Sequence, residues 1–287
     1  MLRIKNLFRR QPPSRTGPDD QLFEQYCHDV PSAQNAIDAL PGWNSGFPPF
    51  AKVVAGTHPL FADARIDWAI HQAGSIKDKK VLEIGPLEGM HTYMLNKHGP
   101  ALIDAIEANK QCFLRCLVAK EILGIERARF HLGDALKWLE FKEERYDIGI
   151  ASGVLYHMAD PATFLHRLAS RCDNLFIWTH YFSDTAMPVQ DERRLAFTGK
   201  VEERMIGNLP VRYYERRYFH ANETETFCGG MKDRHYWMHR EDILSVLSAL
   251  GFANLAIAHE MPDHPGGPCF SVFAKRALSD QRPEGAF

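Results

Sequence analysis

The 287-residue sequence has no apolar run near the roughly 18 residues that a membrane-crossing helix needs, which argues against stable membrane insertion. None of its six cysteines forms a C-x-x-C, and no His/Cys cluster has zinc spacing, so no metal is expected. Cys27, Cys112, Cys116, Cys172, Cys228 and Cys269 therefore read as free, buried thiols in a reducing, cytoplasmic compartment. Charge of one sign is lacking too: a formal net charge of -2 offers no bulk attraction for a polyanion. There is no internal repeat, no G-x-G-x-x-G and no phosphate-loop lysine, which sets aside two common phosphate-binding turns. The N-terminal stretch "MLRIKNLFRRQPPSRTGPDD" (1–20) lacks the apolar core of a secretory signal and reads as a basic, poorly ordered tail.

What is present is organised. Residues 21–78 read as a mostly helical extension, broken by the turn-rich "LPGWNSGFPPF"; its last helix, in "LFADARIDWAIHQAG", closes at Gly74. From Lys80 short strands alternate with helices: "KVLEI", "ALIDAIE", "RARFHL", "YDIGIAS" and "NLFIWTHYF" are five strands. The helix in "NKQCFLRCLVAKEILG" sets Phe113, Cys116, Leu117, Ile122 and Leu123 on one face, and Pro161 opens the helix of "DPATFLHRLASR". Such alternation predicts a parallel sheet covered on both faces and wound right-handed, an α/β doubly wound fold. The chain ends differently. After the helix of "REDILSVLSALGF", two strands, "ANLAIAHE" and "CFSVFAKR", are joined by the turn "MPDHPGGP" and must be antiparallel neighbours.

Chemistry gathers at the strand ends. In "VLEIGPLEGMHTYML" (81–95) the glycines let the backbone approach a ligand, and the amides that open the next helix can receive a carboxylate. Glu107 ends the second strand, where a carboxylate can accept both hydroxyls of a ribose; this suits S-adenosylmethionine and NAD equally. Asp134, after the third strand, reads as a helix N-cap. Tyr156 can steady a cation with its ring face, and His157 and His180 stand at the carboxyl edge of the sheet with imidazoles able to take a proton near neutral pH.

The closing hairpin, the acidic glycine turn, Glu107 and "GVLYH" (153–157) together resemble the class I S-adenosylmethionine-dependent methyltransferases; "GVLYH" is similar to the tRNA wobble-uridine carboxymethyltransferase group. The resemblance covers 64–182 well and 236–275 loosely. It implies a Rossmann-like, mostly parallel seven-stranded sheet with a reversed terminal strand, built from 79–182 and 236–277; the stretch 183–235 has no counterpart in the family and reads as an insertion, a substrate lid. It implies S-adenosyl-L-methionine as cofactor, held by Glu83, Gly85, Pro86, Gly89, Glu107, Ala108, Asn109, Gly133, Asp134, Ala135, Ser152, Gly153 and Tyr156. Asp134 would then meet the adenine amine, and Leu87 stands where the family's middle glycine belongs. The chain has no N-P-P-Y of the amino-methylating nucleic-acid enzymes, and no basic residues matched to a carboxylated cofactor.

Methyl transfer is an in-line displacement, so the protein mainly aligns the acceptor. Tyr156, His157 and His180 are the candidate catalytic residues. The aromatic and arginine-rich "VRYYERRYFHANETETFCGGMKDRHYWMHRED" is the candidate acceptor end, with Tyr214, Arg217, Tyr236 and Trp237 foremost; an oligomer contact with core aromatics is its structural alternative. The expected reaction is O-methylation of a small molecule or saccharide, with carbon as another acceptor atom. A tRNA acceptor comes second, weakened by the near-neutral charge. An NAD(P)-dependent oxidoreductase and a non-catalytic cofactor-binding protein are the readings from other classes.

Overall fold

Strand β1 (Lys80–Ile84) is buried at every position after its first, as a strand covered on both faces must be. In the computed structural model, which describes residues 26–224 and 226–276, it forms the middle of a sheet with β2 (Leu102–Glu107), β3 (Ala128–Leu132), β4 (Tyr146–Ser152) and β5 (Cys172–His180). The basic stretch 1–20 lies outside the described residues. A separate sheet is made by β6 (Phe197–Ile206), β7 (Leu209–Arg216) and β8 (His235–Met238). Finally β9 (Phe252–Met261) and β10 (Cys269–Arg276) return to the main sheet, whose order is β3-β2-β1-β4-β5-β10-β9. β1 to β5 pair in parallel, while β10 runs antiparallel to both β5 and β9. The reversed strand is thus last in sequence but lies inside the sheet, and β9 takes the edge.

The helices are α1 (Ala33–Asp38), α2 (Ala64–Ala73), α3 (Met90–Asn96), α4 (Lys110–Leu123), α5 (Ala135–Phe141), α6 (Pro161–Arg171) and α7 (Arg240–Ala249). Strand alternation divides the core between the two sheet faces. Leu82, Ile84 and Ile106 pack with Leu139, Phe164, Leu168, Val246 and Phe252; Val81, Ile103 and Ala105 pack with Ile66, Ile70, Met94 and Ala119. Val211, Tyr213, Tyr236 and Met238 of the small sheet join the first cluster, and the Tyr213 hydroxyl donates to Asp160 Oδ1 at 2.8 Å. The small sheet is thereby fastened beside the N-terminus of α6.

Four expectations need correction. Residues 21–78 are not mostly helical: within the described part only Ala33–Asp38 and Ala64–Ala73 are α-helix. Pro31, Pro41, Pro48, Pro49 and Pro59 remove the amide donors that a longer helix needs. On α4 the buried stripe is Cys112, Cys116, Ala119 and Leu123, with Arg115 among them, while Leu117 is 42% exposed. The polar group was drawn in because buried Glu88 pairs with Arg115. Cys27 and Cys228 are exposed rather than buried, since both lie on loops. Residues 236–238 lie in β8, paired with β7 rather than with the main sheet.

Candidate functional site

The turn after β1 is built from three left-handed residues in five: Gly85 (φ 66°), Leu87 (φ 56°) and Gly89 (φ 80°). A Cβ on Gly85 would come within 2.9 Å of Val154 Cγ2, so this position has no room for a side chain. Gly89 N–H donates to Pro86 O at 2.8 Å, and Gly89 then caps α3. Glu83 is buried beneath the turn and accepts from the Thr92 hydroxyl at 2.6 Å. Burial pushes the Glu83 carboxyl up to about 7, with the nearby Glu107 charge adding to the shift.

Glu107 points from β2 into the same space. Its Oε2 accepts from Leu87 N–H at 3.1 Å and its Oε1 from Asn109 N–H at 2.7 Å. Burial raises its carboxyl to about 7 even though the backbone amides of Asn109, Leu87 and Ala108 hold it down. Two amide-anchored oxygens with lone pairs to spare make a receptor for a vicinal diol. Asn109 caps α4 through Oδ1, which accepts from the Gln111 and Cys112 amides. Its Nδ2 donates to Phe227 O at 3.3 Å, and Asn44 Nδ2 donates to Thr226 O at 3.4 Å. The inserted segment therefore reaches over the end of β2. Asp134 caps α5 through Leu136 N–H at 2.8 Å, and Gly133 N–H donates to Glu107 O at 2.8 Å. Gly133 and Asp134 also line a groove of about 550 Å³ with Ile106, Phe130 and Trp138. Ala135 begins α5 next to them.

β4 ends at Ser152, and Gly153 (φ 81°) turns the chain into the short 3-10 helix Leu155–His157. Tyr156 is boxed by rings: His157 at 4.1 Å, His180 at 4.7 Å, and Trp178 and Trp237 each at 6.0 Å. Trp237 stacks on His180 at 5.1 Å with 7° between planes. The guanidinium of Arg65 lies over Trp178 at 4.2 Å, its charge matched by Asp63. Aromatic ring faces of this kind attract a cation such as a sulfonium.

The two histidines differ. The Tyr218 hydroxyl accepts from Gly230 N–H at 2.7 Å, so its own proton is directed to His157 Nδ1 in a short hydrogen bond. Burial, with His235 beside it, holds His157 down at about 3, and its imidazole stays neutral. His180 Nδ1 lies 2.8 Å from Gly267 O and so carries the proton, which leaves the Nε2 lone pair free. Burial lowers His180 to about 4.

Of the acceptor-side candidates, the structure brings Trp237 to Tyr156 and His180. It places the others elsewhere: the Tyr236 hydroxyl donates to Glu202 at 2.6 Å, Tyr214 stacks on Phe182 at 3.7 Å, and exposed Arg217 pairs with Glu215 and Asp233. Sequence reading passed over Trp178, Arg65 and Glu88, and it counted Tyr218 only among the acceptor-end aromatics, not as the partner of His157. Trp178 was legible, being two residues before His180 and hence on the same strand face; the others meet the site only through tertiary contacts.

Residues 82–172 match a family model described as a methyltransferase domain. The tRNA U34 carboxymethyltransferase of Sulfurimonas denitrificans is 26% identical over 108 residues, covering 34% of this chain and 33% of that protein. That match spans only about a third of the relative's length. Among solved structures, the N-terminal domain of EvdMO1 with SAH bound aligns with a TM-score of 0.62 at 19% identity, over 85% of this chain and 95% of that one. The same domain in the presence of SAH and D-fucose gives 0.60 at 21% identity, with the same coverage. The chain carries a class I, S-adenosylmethionine-dependent methyltransferase domain.

Proposed function

We propose that this domain moves the methyl group of S-adenosylmethionine to an oxygen of a small-molecule or saccharide acceptor. The carrying observation is the juxtaposition of an amide-anchored Glu107 at a left-handed glycine turn with an aromatic box around Tyr156. In this reading Glu107 takes the ribose hydroxyls, the Gly85–Gly89 turn and the start of α3 take the methionine end, and Asp134 lies toward the adenine. Tyr156 and Trp237 flank the sulfonium and the acceptor. Transfer forms the methyl–oxygen bond as the methyl–sulfur bond breaks, and the sulfonium becomes a neutral thioether. The acceptor proton needs a taker, and His180 Nε2 is the ring nitrogen with a free lone pair. His157, occupied by Tyr218, orients the wall of the pocket instead. A saccharide acceptor accords with the D-fucose used with the EvdMO1 domain.

A tRNA acceptor is the second reading, favoured by the similarity to the Sulfurimonas protein. Calorimetry with S-adenosylhomocysteine tests the cofactor assignment, and absence of binding overturns it. Release of S-adenosylhomocysteine on screening hydroxylated saccharides tests the acceptor class, and retention of tRNA at low salt tests the alternative.

A further inference from the structure

Three ligand-type side chains converge where the sheet's carboxyl edge meets the β9–β10 turn. His180 ends β5, His264 lies in the turn, and Cys269 begins β10; one ligand atom from each lies within 4.8 Å of the others. We propose that these residues form a binding site for a zinc-class divalent metal ion, with a fourth position left open. The whole insertion and α7 separate His180 from the other two, which is why no spacing motif betrays the cluster.

The donor set of two imidazoles and one thiol suits a borderline-soft ion rather than magnesium or calcium, which take oxygen ligands. His180 has the arrangement expected of a metal-ligating histidine: Nδ1–H is spent on a backbone carbonyl, that of Gly267, so Nε2 presents its lone pair in a fixed direction. Its ring cannot drift, because Trp237 stacks on one face and Tyr156 and Trp178 press edgewise. Cys269 is fully buried and His180 nearly so, a dry setting that strengthens metal–ligand attraction, while partly exposed His264 offers an entry path. His264 Nδ1 accepts from Gly266 N–H at 3.0 Å, a local bond that yields when this nitrogen turns to an ion. In a tetrahedral zinc site the ligand atoms sit about 3.5 Å apart, given zinc–ligand distances of about 2.0–2.3 Å. The turn must therefore tighten by about an ångström from 4.8 Å, and it contains Gly266 and Gly267. Arg65 and Arg193 border the cluster, but Asp63 and Asp191 pair with them, and an ion would itself convert Cys269 to the thiolate.

His180 touches Tyr156 at 4.7 Å between ring centroids, so an ion on its Nε2 would serve the acceptor hydroxyl in place of a lone His180 base. That use rests on the reading under Proposed function; the metal site does not. Chelator-treated protein titrated with Co²⁺ should bind one equivalent and show a thiolate-to-cobalt charge-transfer band in the near ultraviolet. The band should vanish in Cys269→Ser and survive in Cys228→Ser, and His264→Ala should weaken cobalt binding at least about tenfold, consistent with loss of one ligand of a few. Each variant is first shown to melt cooperatively with wild-type-like circular dichroism; if Cys269→Ser fails to fold, His264→Ala in the partly exposed turn decides. No charge-transfer band in the wild-type protein, or unchanged cobalt affinity in His264→Ala, overturns the site. Failure of wild-type protein to bind S-adenosylhomocysteine would sink the methyltransferase reading alone, because the cobalt spectrum reports on the metal independently.

Discussion

Leu87 donates its backbone N–H to the Glu107 carboxylate at 3.1 Å from a left-handed conformation, φ 56°. A β1–α3 turn of this shape has two glycines and, between them, a leucine that adopts the same backbone region. The left-handed conformation costs an L-residue roughly 1–2 kcal/mol. The function retained by the backbone is the N–H, not the side chain. Leu87→Gly should therefore leave S-adenosylhomocysteine affinity unchanged and hold or raise Tm. With Glu107 on the ribose as proposed, Glu107→Ala would remove two charge-assisted hydrogen bonds, worth about 1.5–3 kcal/mol each, and should weaken binding by at least about tenfold. Calorimetry on both variants checks this; equal weakening in the two would sink the assignment.

Cofactor binding should also depend on pH. Glu107 must be ionised to accept both hydroxyls, yet burial raises it to about 7 in the free protein. Affinity for S-adenosylhomocysteine should fall as pH drops through 7, with proton release on binding below that point. On the stability of the free protein the two buried carboxyls act in the opposite sense. Glu83 and Glu107 are both raised from 4.5 to about 7, so their contribution to stability is fully present below 4.5 and is lost as pH rises through 7. His157 and His180, lowered by burial from 6.5 to about 3 and 4, act the other way: their contribution is present above 6.5 and is lost as pH falls toward 4, so between 4.5 and 6.5 they offset the glutamates. The thermal shift given by S-adenosylhomocysteine should be larger at pH 8 than at pH 6; a flat profile would remove Glu107 from the ribose.

Glu88 clasps the N-terminal segment to the turn. It is fully buried, accepts from the Asn44 amide at 2.9 Å and the Ser45 amide at 2.6 Å, and pairs with buried Arg115 at 3.4 Å. Glu88→Ala leaves a buried guanidinium and two amides unpaired, a change of about 3–5 kcal/mol in systems of this kind. Urea denaturation should show that loss, and Glu88→Gln, which still accepts hydrogen bonds, should recover part of it. Equal stability of Glu88→Ala and wild type would mean the clasp carries no load.

The doubly wound sheet could be read from the sequence because each element announces itself locally: apolar runs such as Val81–Ile84, the caps Asn109 and Asp134, and Pro161 at the first turn of α6. Ligand geometry that depends on backbone, as at Gly85 and Gly89, is legible for the same reason. What stayed hidden depends on distant partners. Tyr236 and Trp237 are adjacent in β8, so one must face the core and the other the site, and only the pairing with β7 decides which. His264 and Tyr218 gain meaning from His180 and His157, residues that no periodicity links to them.

The inserted segment reaches over the end of β2, and one of the two side chains that hold it there can be tested cleanly. Asn109 uses Oδ1 to cap α4 and Nδ2 to hold Phe227 O at 3.3 Å. Asn109→Ser keeps a capping oxygen of equal rank but has no donor that can reach Phe227, so it separates the cap from the clasp. Helix stability and Tm should stay close to wild type. The amides around Cys228 should exchange hydrogen faster, because of the two asparagine contacts on the loop only the longer one then remains, that of Asn44 with Thr226 O at 3.4 Å. If this loop must open for the cofactor to leave, S-adenosylhomocysteine should dissociate faster from Asn109→Ser while its association rate changes less. Hydrogen exchange and stopped-flow fluorescence give both readings, with Trp178 and Trp237 as reporters beside Tyr156. Faster exchange without faster dissociation would show that the loop covers the site without gating it; unchanged exchange would show that the Asn109–Phe227 bond does not hold the loop.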